Sequence, residues 1–381
     1  VSVIIRQIAL FIRRRSEQKQ VQTVLRQFDE WRLFIDAMPK FAVQPKSIAI
    51  VRLDDIGDYL LWRNVLALYK QAPAYAGYSI TLIGNIVWKS IFEAYDAAAV
   101  DATIWVDKQQ YFSSQTYRTT LWEHVRQQGF EKIICPARTR PLLLDDLIAC
   151  ASAAQHKLAA HNTFAAQDWN ACSDKLYNEL HTVSHTQSHE FFYNKAFTEK
   201  ATAFSASITD LSLPIPTSVQ NPKQIICFIG ASAQSKQWSI AYWIRLVQLL
   251  QQQGWQALLS GGKNESPLAA EIIAATKVAS IVGQTNLIET LAVIAQSAAV
   301  ITGDTMAAHA AVALHKPSVI LANGVNAQRF VAYQEAGFEG VTTIYTKQYK
   351  GHQHEPFYRA VTKDMQSIQP EQIMEALSRL M

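Results

Sequence analysis

The chain predicts an α/β protein of two doubly wound halves facing a central cleft, and three observations carry that expectation. Its 381 residues correspond to two domains at a typical domain size of about 150. Short apolar runs alternate with helical patterns from Ser47 onward, the signature of parallel sheets covered by helices, and the alternation restarts after Pro222. Between the two series lies Leu213-Pro214-Ile215-Pro216, which reads as part of a linker.

The elements follow in order. Residues 1–45 read as a helical extension. Residues 1–12 are mostly apolar, and Arg13, Arg14 and Arg15 follow them, the reverse of a signal peptide's order, with no small-residue cleavage site behind. The segment has two readings. One is a helix packed on the body. The other is an amphipathic helix on an anionic membrane face, with Ile4, Ile5, Ile8, Phe11 and Ile12 as its apolar stripe and Arg6, Arg13, Arg14, Arg15 and Lys19 as its basic complement. A first half over 46–216 opens with a strand at 47–52 (SIAIVR) and a helix at 58–70. Strands at 78–83, 103–106 and 132–135 come next, with a helix near 85–95 and another before the last strand. Residues 151–219, rich in His, Asn, Gln and Ser, show no clear pattern. A second half over 217–355 has strands at 224–229, 256–259, 299–302 and 318–321, with helices at 240–253, 287–297 and 305–314. Residues 356–381 end in a helix near 370–381, with Ile373, Leu377 and Leu380 on the side expected to pack back on the body, across the first half.

Composition narrows the function classes. Hydrophobic residues make up 49% and charged residues 17%, which excludes a disordered chain. A net charge of +4 is too even to argue for nucleic acid. The four cysteines form no C-x-x-C pair and no zinc spacing, as expected of inert thiols in a reducing compartment. No apolar run of membrane-spanning length is present, so no transmembrane helix is expected. With reduced thiols the expected location is cytoplasmic, peripheral on the cytoplasmic face of the inner membrane if residues 1–20 dock there. The 9 Trp, 14 Tyr and 16 Phe suit cores, sugar-facing sites and membrane-facing surfaces alike.

Four stretches stand at predicted strand ends, where open α/β sheets bind their ligands. The first is Leu53-Asp54-Asp55-Ile56-Gly57-Asp58, in which Gly57 permits a tight turn and Asp58 is either a helix cap or a carboxylate able to take a proton from a hydroxyl. The second, Gly230 to Trp238, has small residues for close backbone approach and Lys236 just before a helix, which suits a diphosphate; an ordinary loop with a solvated lysine is the plain alternative. In the third, Ser260 to Glu265, Glu265 could cap a helix or hold ribose hydroxyls. In the fourth, Gly303 to His309, the amides of Thr305, Met306 and Ala307 would form an anion-binding helix start, with His309 one turn in. No G-x-G-x-x-G follows a strand and no G-x-x-x-x-G-K-[ST] exists, which argues against dinucleotide oxidoreductases and P-loop NTPases. His181, His185 and His189 recur every four residues, as on one helix face; zinc binding is the alternative, but no carboxylate or Cys completes a site, and a solvated face is the reading. The Asp54-Asp55 and Asp145-Asp146 pairs are assigned no metal.

As an ordered set, VRLDDIGD, FIGASAQSKQW, GGKNE and DTMAAHAA resemble glycosyltransferase family 9, the heptosyltransferase-like enzymes of bacterial lipopolysaccharide biosynthesis, over residues 46–325. The resemblance implies a GT-B fold, with the nucleotide sugar on the second domain and the acceptor on the first. It implies inverting transfer with no metal and no cofactor, from a nucleotide-sugar donor such as ADP-heptose to a lipid-linked or oligosaccharide acceptor, with a membrane surface engaged through residues 1–20 and no nucleic acid. Carried over by position, Asp58 would be the general base, and Lys236 and Ser232 would hold the diphosphate. Gly57, Gly261, Asp304, Thr305, Met306, Ala307 and His309 would line the donor site, and Glu265 would face the ribose. Four features depart from the family pattern: Met306 stands where the family has glycine, and neither the roughly 45 residues before the first strand, nor Arg329-Phe330, nor residues 351–359 are expected of it. Two other functions fit the same elements. One is a nucleotide-sugar epimerase of the same architecture, and the other is a non-catalytic relative docked on a membrane.

Overall fold

A computed structural model describes residues 2–162, 167–183, 189–205, 207–217, 220–231, 233–352 and 364–381, leaving out the side chains of 2–17 and 167–168. Among the described residues twelve strands form two six-stranded sheets. The first holds β1 (Gln44–Arg52), β2 (Ser79–Asn85), β3 (Ala102–Val106), β4 (Phe130–Cys135), β5 (His156–Ala160) and β6 (Glu179–His181) in the order β3-β2-β1-β4-β5-β6. The second holds β7 (Asn221–Phe228), β8 (Gln256–Ser260), β9 (Ala279–Ser280), β10 (Ser297–Gly303), β11 (Ser318–Ala322) and β12 (Val341–Tyr345) in the order β12-β11-β10-β7-β8-β9. Pairing is parallel in both sheets. Numbered within its own half, each sheet has the strand order 3-2-1-4-5-6, so the second half repeats the topology of the first. Every residue of β10 is buried, as a central parallel strand with helices on both faces requires.

Several expectations need correction. The single helix over 58–70 is instead the helix Ile56–Leu60, a 3-10 turn Arg63–Val65 and the helix Leu66–Gln71. Tertiary contacts break it: the Leu61 carbonyl accepts from the Asn194 side chain, and Arg63 turns inward onto Asp96 at 2.6 Å and onto the Ser212 carbonyl. Residues 151–219 are more regular than their pattern. They supply β5, β6 and the helices Gln167–Asp174 and Glu190–Thr202. The three histidines share no helix: His181 lies in β6, His189 precedes the helix Glu190–Thr202, and His185 lies outside the described residues. In the second half the helix Ser266–Thr276 and strands β9 and β12 were not anticipated. The C-terminal helix Pro370–Leu380 buries Ile373 and Leu377 against the helix Ile240–Gln252 of the second half, not across the first.

The N-terminal helix Ser2–Asp36 packs its described part on the first half. Phe28 and Ile35 are buried there, and Trp31 lies under the Arg118 guanidinium at 3.9 Å. One buried apolar cluster spans both halves. It joins Ile50, Leu60 and Phe191 of the first to Leu291, Val300, Ala308 and Phe338 of the second. This shared cluster joins the two halves, and a cleft lies between the carboxyl ends of their sheets.

Candidate active site

The loops after β1, β7 and β10 leave the carboxyl ends of strands beside each sheet's switch in strand order, where the crevice of this topology opens, and the loop after β8 lies next to that of β7. A cleft of about 680 Å³ lies between them. Gly57 and Asp58 of the first half line it together with Lys236, Gly261, Glu265, Asp304, Thr305, Met306, Ala307 and His309 of the second. Ser232 lies outside the described residues. Four stretches spread over some 250 residues of sequence are thus brought to one cavity, whose volume falls within the roughly 300–1,000 Å³ range of small-molecule sites.

Asp58 is not a helix cap. It is the third residue of the helix Ile56–Leu60, where Asp55 holds the cap position without a capping bond, its carboxylate accepting instead from Lys108 at 2.6 Å. Its carboxylate is 22% exposed, at the cleft, and lies 4.0 Å from Arg329 of the second half. Burial first, then repulsion from Asp54, push its pKa up to about 7 against the attraction of Arg329 and Arg52. Arg52, fully buried, binds Asp54 at 2.8 Å and reaches the Asp58 carbonyl at 3.5 Å. Gly57 is required by contact between the halves, since a Cβ there would meet His309 Cδ2 at 2.6 Å.

On the opposite wall Lys236 is an ion-paired residue. Its ammonium donates to Asp304 at 2.6 Å, with Asp304 almost wholly buried. Thr305 caps the helix Met306–Ala313, its Oγ1 accepting from the Ala307 amide at 3.3 Å, so one of the three expected amides is already bonded within the chain. His309 is buried, and burial pulls its pKa down to about 4, so the ring is neutral near pH 7. Its Nδ1 lies 2.6 Å from the Tyr333 hydroxyl; a bond donated by that hydroxyl leaves the ring proton on Nε2, toward Gly57. Glu265 stands at a helix cap position but makes no capping bond. Its carboxyl group instead abuts Gly230, where a Cβ would come within 3.0 Å.

Sequence reasoning missed the charged group behind Asp58. Arg329 and Glu190 form a buried two-pronged pair, Nε to Oε2 at 2.7 Å and Nη2 to Oε1 at 2.9 Å, across the two halves. Arg329-Phe330 stood out in the sequence without an assigned role, whereas Glu190 carried no local signal at all. A second cavity of about 790 Å³ lies wholly in the first half, lined by Asp54, Lys108, Phe112 and Asp145 among others, and shares Asp55 with the cleft. Among the described residues no group of three or more His, Cys, Asp or Glu side chains is arranged to hold a metal ion, and no helix is long and apolar enough to cross a membrane.

The sequence profile of glycosyltransferase family 9 (heptosyltransferase) matches residues 155–353. Among solved structures, a glycosyl transferase family 9 protein from Veillonella parvula aligns with a TM-score of 0.68 at 16% identity, over 90% of this chain and 98% of that one. The E. coli heptosyltransferase WaaC with ADP aligns with a TM-score of 0.66 at 15% identity, over 88% and 100%. The E. coli ADP-heptose lps heptosyltransferase II aligns with a TM-score of 0.60 at 15% identity, over 88% and 98%. At these identities the likeness establishes the GT-B fold. No curated protein matches by sequence.

Proposed function

The chain belongs to glycosyltransferase family 9, and from that premise we propose that it is an inverting, metal-independent transferase. In this reading it moves a heptose or similar sugar from a nucleotide-sugar donor, such as ADP-heptose, to a lipopolysaccharide-core or other glycan acceptor. One observation carries the reading. A carboxylate of the first half, Asp58, faces a lysine, a capped helix start and an acidic ribose candidate of the second half in a single cleft.

The steps follow from those groups. Ionised Asp58 takes the proton of the acceptor hydroxyl. That oxygen forms a bond to the anomeric carbon, and the bond to the nucleotide's phosphate oxygen breaks on the opposite face. The electron pair leaves on the diphosphate, and the anomeric centre inverts. Lys236 spends one of its three N–H donors on Asp304 and offers the others to the leaving group. The amides at the start of the helix Met306–Ala313 add positive potential, so charge builds up against fixed dipoles instead of a metal. Glu265 accepts from ribose hydroxyls beside Gly230 and Gly261, and Met306 narrows the diphosphate end. The acceptor enters from the first half, where the cavity sharing Asp55 adjoins the cleft.

The deciding experiment compares the wild type with Asp58→Asn, using ADP-heptose and a panel of core oligosaccharide acceptors. Turnover should fall about 10²- to 10⁴-fold, the usual worth of a general base, while ADP affinity by calorimetry stays within twofold. Retained turnover in the variant would overturn the base assignment.

A further inference from the structure

The charges around Asp58 come from four elements of the fold. Arg52 and Asp54 lie on and just after β1. Glu190 opens the helix Glu190–Thr202 of the first half, with Arg138 of the β4 loop 3.9 Å behind it. Arg329 comes from the other half, in the one-turn helix Ala327–Phe330 after β11. The neutral His309 closes the side toward Gly57.

Glu190 is wholly buried and Arg329 is 4% exposed. Burial alone would raise the Glu190 carboxyl. The charge and hydrogen bonds of Arg329, helped by Arg52 and Arg138, reverse that and hold it below the usual range. A buried carboxylate of this kind depends on its ion-pair partner, though Arg52 and Arg138 still stand by to keep Glu190 charged when Arg329 alone is replaced. Because the partner belongs to the opposite half, the pair exists only in this mutual arrangement of the domains. The same guanidinium stands 4.0 Å from Asp58. It is bound twice to Glu190, so it cannot turn to make a closer pair with Asp58.

We propose that Arg329 is the positioning residue of the base: locked by Glu190 across the domain interface, its guanidinium holds Asp58 at the cleft and sets how tightly that carboxyl keeps a proton. The inference rests on Asp58 being the base. It gives Arg329-Phe330, the pair without a role in the sequence, a place in the site. It also ties the charge state of a first-half residue to contact with the second half.

The test reads Asp58 directly in the ligand-free chain, through the pH titration of ¹³Cγ-labelled aspartate by NMR, with the Asp58 signal identified by its loss in Asp58→Asn. Arg329→Met removes a cation, so the Asp58 midpoint should rise by about one pH unit. Glu190→Gln removes an anion and leaves the guanidinium to act on Asp58 alone, so the midpoint should fall. Arg329→Lys should stay within about half a unit of the wild type. A pair that merely pins the domains together would leave the midpoint in place or shift it in the same direction in both variants, and either result overturns the proposal. Should Arg329→Met fail to fold, Glu190→Gln and the double variant still decide: the double variant should titrate nearer the wild type than either single change. Activity of Asp58→Asn with ADP-heptose is scored separately, so loss of the base assignment is distinguishable from loss of the Arg329 role.

Discussion

Asp58 sets the pH behaviour expected of the enzyme. It acts as a base only when ionised, and burial beside Asp54 lifts its pKa to about 7. kcat/KM should therefore fall about tenfold per pH unit below that value and level off above it. The sign for stability is opposite. A carboxyl raised from its unfolded value favours the folded state while protonated, and that contribution is lost as the pH climbs from about 4 to about 7. Asp58→Asn should accordingly melt above the wild type at pH 8 and level with it near pH 4, a comparison that scanning calorimetry makes directly. Gly57 carries a second expectation. Its missing side chain lets the helix Ile56–Leu60 touch His309, so Gly57→Ala must push the halves apart by a fraction of an ångström or more. Misplacement on that scale should cost about ten- to a hundredfold in turnover with little change in ADP affinity.

Among the elements, those with strong internal periodicity were legible. The strands 47–52, 224–229 and 318–321 and the helix Ile240–Gln252 are where their apolar spacing puts them, because their own residues pack the central layers. Short edge strands were not. β6 has three residues and β9 two, too few for any period, and the helix at 58–70 is broken by Asn194 and Arg63 contacts that no local pattern records. The site shows the same division. Its motif loops could be read because glycines, Lys236 and Asp58 cluster at strand ends. The Arg329–Glu190 pair could not, since its partners lie 139 residues apart. The helix Met306–Ala313 gives an element-scale test. Thr305→Val removes the Oγ1 that holds the Ala307 amide and should destabilise the chain by about 1 kcal/mol. ADP should bind more weakly as that helix start frays, a change that calorimetry resolves.

At the scale of the molecule, the two halves are joined more tightly than their separate sheets suggest. The cluster holding Ile50 and Leu60 is the one holding Val300 and Ala308, with Phe191, Tyr333 and Phe338 stacked edge-to-face at the seam. Much of the aromatic surplus is used here and in the Tyr59–Trp88 stack at 4.1 Å, not on an exposed face. Splitting the halves would expose that seam to water and strand Glu190 without its partner. Opening is therefore costly, and the chain should unfold as one unit. Heating should give a single calorimetric transition whose enthalpy equals the van 't Hoff value. The slowest amides of β1 and β10 should exchange with the same free energy, since both await the same event. Phe338→Ala weakens the seam and should lower the protection of both by about 3 kcal/mol. If β10 kept its protection while β1 lost it, the halves would be independent folding units, and the cleft would owe its geometry to bound ligand instead of the shared core.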